Sequence, residues 1–244
     1  FSGDVTLEAT NDIIIKRDFN KTNGGVTLRA GRDILFGSGG LPLQFELNLT
    51  ATFLDFQAGR NITDNIILGT HLRSTQGDVR TTAVNGDVRF GMAAVPAGNT
   101  VYITQGQSKF MGAGPEGVIA DPANTRLVID ITQGFLVLGG DWGAFSGEQH
   151  IQSIDAQAKQ YLRVEDNLFI GEYARLRSTG NVQVAGSIHA GAEIDLHAAT
   201  GGTGSLSFEQ HVYPGMGTTD RVELWSPQIA LRPGLRSPFQ PNDE

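Results

Sequence analysis

The stretch that most constrains this chain is Gly25 to Phe36, which reads Gly-Val-Thr-Leu-Arg-Ala-Gly-Arg-Asp-Ile-Leu-Phe. Val26, Leu28 and Ala30 alternate with Thr27 and Arg29, the period-two pattern of a strand with one buried face. Gly31 and Arg32 interrupt the run, Asp33 follows, and Ile34 and Phe36 start a second short strand. Two strands and a corner in so short a stretch leave no room for a hairpin with long arms. They fit one bent edge of a coil.

The phrase returns. Val5, Leu7, Ala9, Ile13 and Ile15 take the places of Val26, Leu28, Ala30, Ile34 and Phe36, a step of 21 residues. Leu54, Phe56, Ala58, Asn61 and Ile62 give a third copy, and looser ones span 72–79, 162–170, 176–182 and 188–198. A recurrent unit of roughly 20 residues is the mark of a solenoid. In a parallel coil each strand stacks on its counterpart one turn away, about 4.8 Å distant, so like side chains touch. Small Ala9, Ala30 and Ala58 precede the corner, and Asp12, Asp33, Asn61, Asn167 and Asn181 occupy it. Asn and Asp suit such a corner because they tolerate left-handed backbone and bond the backbone of their own turn. Stacked amides also have partners along the axis. The competing architecture is a β-sandwich of short strands. It needs hairpin turns between neighbours and does not explain copies matched at a step of 21 residues.

The expected fold is therefore all-β: a right-handed parallel β-helix of about a dozen coils, a rod on the order of 50–60 Å long. One solenoid domain is expected over 1–231, with loop excursions around 91–125 and 139–160. A Pro-rich extended tail covers 232–244, since Pro233, Pro238 and Pro241 cannot donate to a ladder. Within the excursions Val101, Tyr102 and Ile103 read as a strand. Ser153 to Tyr161 reads either as a short helix or as another coil edge.

Composition narrows the function. Charged residues are 18% and the net charge is −8, with no basic face to neutralise phosphates, so nucleic acid and anionic membranes are disfavoured. The strongest apolar run, Phe135 to Leu138, stops at Gly139 and is far too short to span a bilayer. With no cysteine, neither disulfides nor thiolate metal sites hold the fold. Phe1 falls inside a repeat, which suggests a removed leader or a segment of a longer chain.

The pattern Gly-x-Val-x-Leu-x-Ala-Gly-x-Asp-Ile-x-Leu, carried by Gly25 to Phe36 and Gly3 to Ile15, resembles the repeats of filamentous-haemagglutinin-like exoproteins. The likeness extends over roughly the first 90 residues and more faintly over 127–200. The resemblance implies a secreted bacterial protein of the two-partner pathway, located outside the cell or on its surface. The Asn-Pro-rich signatures of that family's secretion domain are absent from the sequence. The expected function is a non-enzymatic structural or adhesive solenoid, a shaft segment or subunit of an extracellular fibre or adhesin. Expected partners are other copies end to end, flanking segments of a longer exoprotein, or a cell-surface glycan. The alternative is a polysaccharide-binding or polysaccharide-cleaving β-helix.

No catalytic, cofactor or metal residue stands out, and no cofactor is expected. Gly112, Gly114 and Gly117 spell GxGxxG, but Pro115 and Pro122 leave no helix to follow it, so a glycine-rich loop is expected. Gly201 to Ser205 begins like a calcium-roll nonapeptide, with Leu206 where a ligand belongs. The histidines are His71, His150, His189, His197 and His211. Of these, His189 and His197, with Glu193 and Asp195 between them, are the one candidate surface metal cluster. A polysaccharide-cleaving enzyme would draw on Asp130, Asp141 and Asp155, with Arg126 and Arg163 to steady a sugar carboxylate. Trp142, Trp225, Tyr102, Tyr161 and Tyr173 are the rings available to stack on sugars. Asn20, Asn48 and Asn61 head glycosylation triplets that are incidental in a bacterial protein.

Overall fold

The computed structural model describes residues 3–37, 46–64, 70–90, 92–96, 99–106, 109–112, 125–139, 151–198, 205–208, 212–214, 221–225 and 229–231. Their regular structure is entirely β-strand, paired in parallel. The longest sheet takes one strand from each pass of the chain. In order these are Val5–Ala9, Val26–Ala30, Leu54–Ala58, Val79–Ala83, Thr100–Gln105, Arg126–Ile131, Ser153–Ala158, Tyr173–Ser178, Glu193–His197 and Arg221–Trp225. Each pass then turns into a second face, for instance Ile34–Phe36 early and Tyr161–Val164 late. A third face follows, built from Phe19–Asn20, Leu47–Ala51, Thr70–Ser74 and Met92–Ala94 and, later, from Leu168–Ile170, Ile188–Ala190 and Val212–Pro214. The protein is a parallel β-solenoid with three faces to a coil.

The register is the one the repeats require. Val5 pairs with Val26, Leu7 with Leu28 and Ala9 with Ala30; the next coil sets Leu54, Phe56 and Ala58 on the same columns. Ile13, Ile34 and Ile62 form a column on the second face, and Val88 adds to it by a single bridge. Inward positions are sealed: Leu28, Phe56, Ile103, Ile129 and Leu176 are fully buried. Phe36 and Phe56 meet with ring centres 5.9 Å apart and tilted planes. Leu7, on the same inward column, is 49% exposed, because no coil lies beyond it in the structure.

Steps between coils vary. Val5 to Val26 spans 21 residues, Val26 to Leu54 spans 28, and Ile154 to Ala174 spans 20. The ladder fixes only the strands, so corners absorb the difference, and ten strands fill the long sheet where a uniform 20-residue step suggested a dozen coils. Ser153–Ala158 is a strand of that sheet and not a helix. Within the two expected excursions, Met92–Ala94, Thr100–Gln105, Lys109–Gly112 and Ser153–Ala158 all sit in sheets. Residues 113–124, 140–150 and the tail 232–244 lie outside the described residues, as do Leu43 and Phe45.

The looser repeat copies turn out to be different corners. Leu176 to Val182 runs from the long sheet to the second face, as Leu28 to Ile34 does. Leu162 to Ile170 runs from the second face to the third, and Leu72 to Val79 from the third back to the long sheet. Gly31 and Gly59, which follow the corner alanines, are needed for close approach. A Cβ on Gly31 would strike the Thr10 carbonyl oxygen of the coil before, and one on Gly59 the Gly31 carbonyl oxygen.

The corner acids act between coils. Asp12 Oδ1 accepts the backbone N–H of Asp33 at 3.2 Å, Asp33 Oδ1 accepts that of Asn61 at 3.0 Å, and Asn61 Oδ1 accepts that of Asp87 at 3.0 Å. Each acid also receives a two-pronged guanidinium from the next coil: Arg32 on Asp12 (Nε to Oδ1, 2.7 Å) and Arg60 on Asp33 (Nε to Oδ1, 2.9 Å). One coil on, the buried Gln105 takes a related part, accepting the Val88 N–H at 3.0 Å. The sequence suggests bonds within one turn and between amides stacked along the axis; the structure uses these side chains as rivets from turn to turn, mostly onto backbone N–H and guanidinium groups.

These bonds hold the Asp33 carboxyl below its ordinary pKa, chiefly through the Arg60 hydrogen bond and also through the Asn61 N–H; Arg32 does the same for Asp12. A depressed folded-state pKa means the stabilisation is complete above the unfolded carboxyl's value, ~3.9, and disappears as pH falls through the lower folded one. Asp33→Ala is expected to cost about 2 kcal/mol in urea unfolding at neutral pH, since charged hydrogen bonds to a nearly buried acid are lost. Asp33→Asn, which keeps an acceptor, costs less and flattens the fall in stability between neutral pH and pH ~3. An unchanged acid limb in Asp33→Asn would show that the rivet contributes nothing.

Candidate functional site on the outer face of the long sheet

On the outer face of a parallel solenoid, alternate side chains also line up in columns. One column of the long sheet runs Asp55, Arg80, Tyr102, Val128, Asp155, Arg175, Asp195; beside it run Gln57, Thr82, Thr104, Asp130, Gln157, Arg177, His197. This brings together Asp130, Asp155 and Tyr102 from the sequence candidates, with Arg175 and Arg177.

Asp155 accepts Arg177 at 2.6 Å and lies 3.5 Å from Arg175. Arg175 also donates Nε–H to Asp195 at 3.0 Å, and His197 Nε2 is 2.6 Å from the other Asp195 oxygen. Burial works against the Arg175 charge, but Asp155 and Asp195 outweigh it and raise its pKa, so the guanidinium stays charged. Upstream, Arg80 lies over the Tyr102 ring at 3.9 Å, and Arg175 lies 5.6 Å from that of Tyr173. Opposite charges one coil apart attract across the strand pair, as such pairs do in sheets generally.

Where the sheet runs into its corner, three coils enclose a shallow polar groove of about 270 Å³. Asp130, Thr132, Gln157, Lys159, Arg177 and Thr179 line it. Asp130 faces Gln157 on the next coil, so the groove holds an acid whose register partner is an amide and not a cation. The groove is suited to hydrogen-bonding a polar ligand. Proton transfer needs a positioned acid and base within reach of one bond, and here Asp155 is already taken by two guanidinium groups.

Other candidates separate. Arg126 faces Ser153 in the register, and Arg163 pairs with Glu165 at 3.5 Å on the second face. His189 belongs to the third face, stacked on Phe169 at 4.8 Å and bonded to Ser187 at 3.1 Å, while His197 lies on the long sheet. The paired-histidine metal reading is therefore not assembled, and no group of three or more His, Asp or Glu side chains suited to a metal occurs among the described residues. Tyr161 donates its hydroxyl to Gln183 at 2.7 Å on the second face. Asp141, Trp142, His150, His211, Gly114 to Gly117 and Gly201 to Gly204 lie outside the described residues. The pairing of Arg175 and Arg177 with Asp155, across steps of 20 and 22 residues, escapes a reading that looks for motifs. Aligning the copies residue by residue was the signal available.

No protein-family model matches the chain, and neither a curated protein nor a solved structure matches it.

The ion pairs here are part-exposed, so their contribution is small and salt-sensitive. Asp155→Ala is expected to lower stability by about 1 kcal/mol, less at high salt, whereas Asp130→Ala changes it by no more than ~0.5 kcal/mol. Urea unfolding of both variants at two salt concentrations checks the difference. An equal loss at Asp130 would contradict the assigned pairing.

Proposed function

We propose that the protein is a non-enzymatic scaffold of the cell exterior: a secreted bacterial β-solenoid that serves as a shaft segment or subunit of an extracellular fibre or adhesin. The observation that carries this reading is where the polar side chains are spent. Asp12, Asp33, Asp155 and Asp195 each bind the neighbouring coil, so the chemistry of the surface goes into holding the stack. The same repeats carry the resemblance to filamentous-haemagglutinin-like exoproteins, and a right-handed coil is the hand that parallel crossovers almost always take.

The exposed inward column of the first coil, with Leu7 half open, fits a rod continued by a flanking coil or by another copy. A polysaccharide-cleaving enzyme is the weaker reading, because Asp155 is taken by Arg175 and Arg177, and Arg163 by Glu165.

The ten strands of the long sheet stack to roughly 45 Å. Small-angle scattering and electron microscopy of negatively stained protein are expected to show an elongated particle, or end-to-end filaments of it. Incubation with a panel of acidic and neutral polysaccharides is expected to yield no shorter products by mass spectrometry. Cleavage of any member of the panel would overturn the non-enzymatic assignment.

A further inference from the structure

A second groove, larger than the one just described, is not on the long sheet. It lies across the third face in the first half of the stack, with a volume of about 590 Å³, within the range of small-ligand sites. Asn48 and Thr50 come from one coil, His71 and Arg73 from the next, and Val95 and Pro96 from the one after. Register sets Asn48 beside His71, and Thr50 beside Arg73 beside Ala94.

Arg73, like Arg17 and Arg126, differs from most of the arginines among the described residues. Arg32, Arg60, Arg80, Arg175 and Arg177 each meet a carboxylate. Arg73 has Thr50 and Ala94 as register neighbours, and no carboxylate pairs with it among the described residues. Two acids border the groove away from Arg73: Asp18 accepts the Asn48 backbone N–H at 2.9 Å, and Glu46 stands 3.9 Å from His71 Nδ1. A solvent-facing guanidinium with no carboxylate on it among the described residues, in a chain of net charge −8, suits a negative group from outside.

We propose that this groove binds an acidic glycan, with Arg73 forking onto the carboxylate of a uronate ring and Asn48 and Thr50 meeting the hydroxyls of the rings beside it. Three features select this class. Successive coils present their side chains about 4.8 Å apart, close to the length of one sugar ring along a chain, so a glycan lying across the coils meets one set of groups per ring. The groove pairs a single fixed cation with an amide and a hydroxyl, which suits a ring bearing one carboxylate and several hydroxyls better than a polyphosphate. Pro96, half-buried at the groove wall, supplies apolar surface for the C–H face of a ring. Leu47–Ala51 and Thr70–Ser74, which carry Asn48, Thr50 and Arg73, are paired on both sides, so a peptide adding as a strand meets only the sheet ends, Met92–Ala94 and Phe19–Asn20. The inference rests on the adhesive side of the function proposed above. A rod that binds no uronate would remove the groove's role and leave the scaffold standing.

The experiment is isothermal titration of the full chain with an oligogalacturonate and, separately, with its neutral galactose counterpart, repeated on Arg73→Ala and Arg73→Lys. Thermal unfolding of each variant confirms an intact fold, as Arg73 is exposed. The expected result is binding of the oligogalacturonate, weakened about tenfold by Arg73→Ala and less by Arg73→Lys, with the neutral chain binding no better to the parent than to Arg73→Ala. The proposal is overturned by absence of binding, by equal affinity for charged and neutral chains, or by an Arg73→Ala variant that binds as the parent does.

Discussion

Everything in this structure depends on the in-register parallel ladder between one coil and the next. Backbone N–H and C=O groups in a packed strand must be paired, and here the partner is always the previous or following pass of the chain. Once Val5 is locked to Val26 and Val26 to Leu54, every inward column is decided, because a one-residue slip would turn each apolar side chain outward. The ladder constrains the strands and leaves the corners free, which is how coils of unequal length share one core.

The polar side chains extend that logic outward. Asp33 sits almost fully buried at a corner and is tolerated because Asn61 and Arg60 satisfy it from the next coil. Asp155, Arg175, Asp195 and Arg177 do the same on the long outer face, at greater exposure and smaller gain. A surface whose charges are consumed in this way is well suited to resist unstacking and poorly suited to move protons. Against it, Arg73 lines a groove and has no carboxylate pair among the described residues.

Much of this was legible in the sequence. The alternation of Val26, Leu28 and Ala30 and its copy at Val5, Leu7 and Ala9 specify both strand and register, because period two and a fixed step are local properties of the chain. The three faces were not legible. Corners between different faces share the same short vocabulary of a small residue, Gly and Asn or Asp, so Leu72 to Val79 and Leu176 to Val182 look alike although they join different sheets. Ser153–Ala158 was ambiguous because its alanines favour a helix in isolation and only stacking on Leu127 and Ile129 makes it a strand. The partners of Asp33 and Asp155 lie a whole coil away, beyond any motif window, and the surface grooves arise from the stacking of three coils at once.

The stack itself is open to a direct test, because the chain contains no cysteine and any introduced pair reports alone. Arg29 and Gln57 are exposed register partners on adjacent coils, so Arg29→Cys with Gln57→Cys falls within disulfide reach. Arg29 and Thr82 lie on the same column two coils apart, beyond that reach. Under mild oxidation the account predicts a rapid intramolecular crosslink for the first pair and none for Arg29→Cys with Thr82→Cys, read by the mass of the linked peptides. Failure of the Arg29–Gln57 pair to link while the fold is intact, or linkage of the Arg29–Thr82 pair instead, would contradict it.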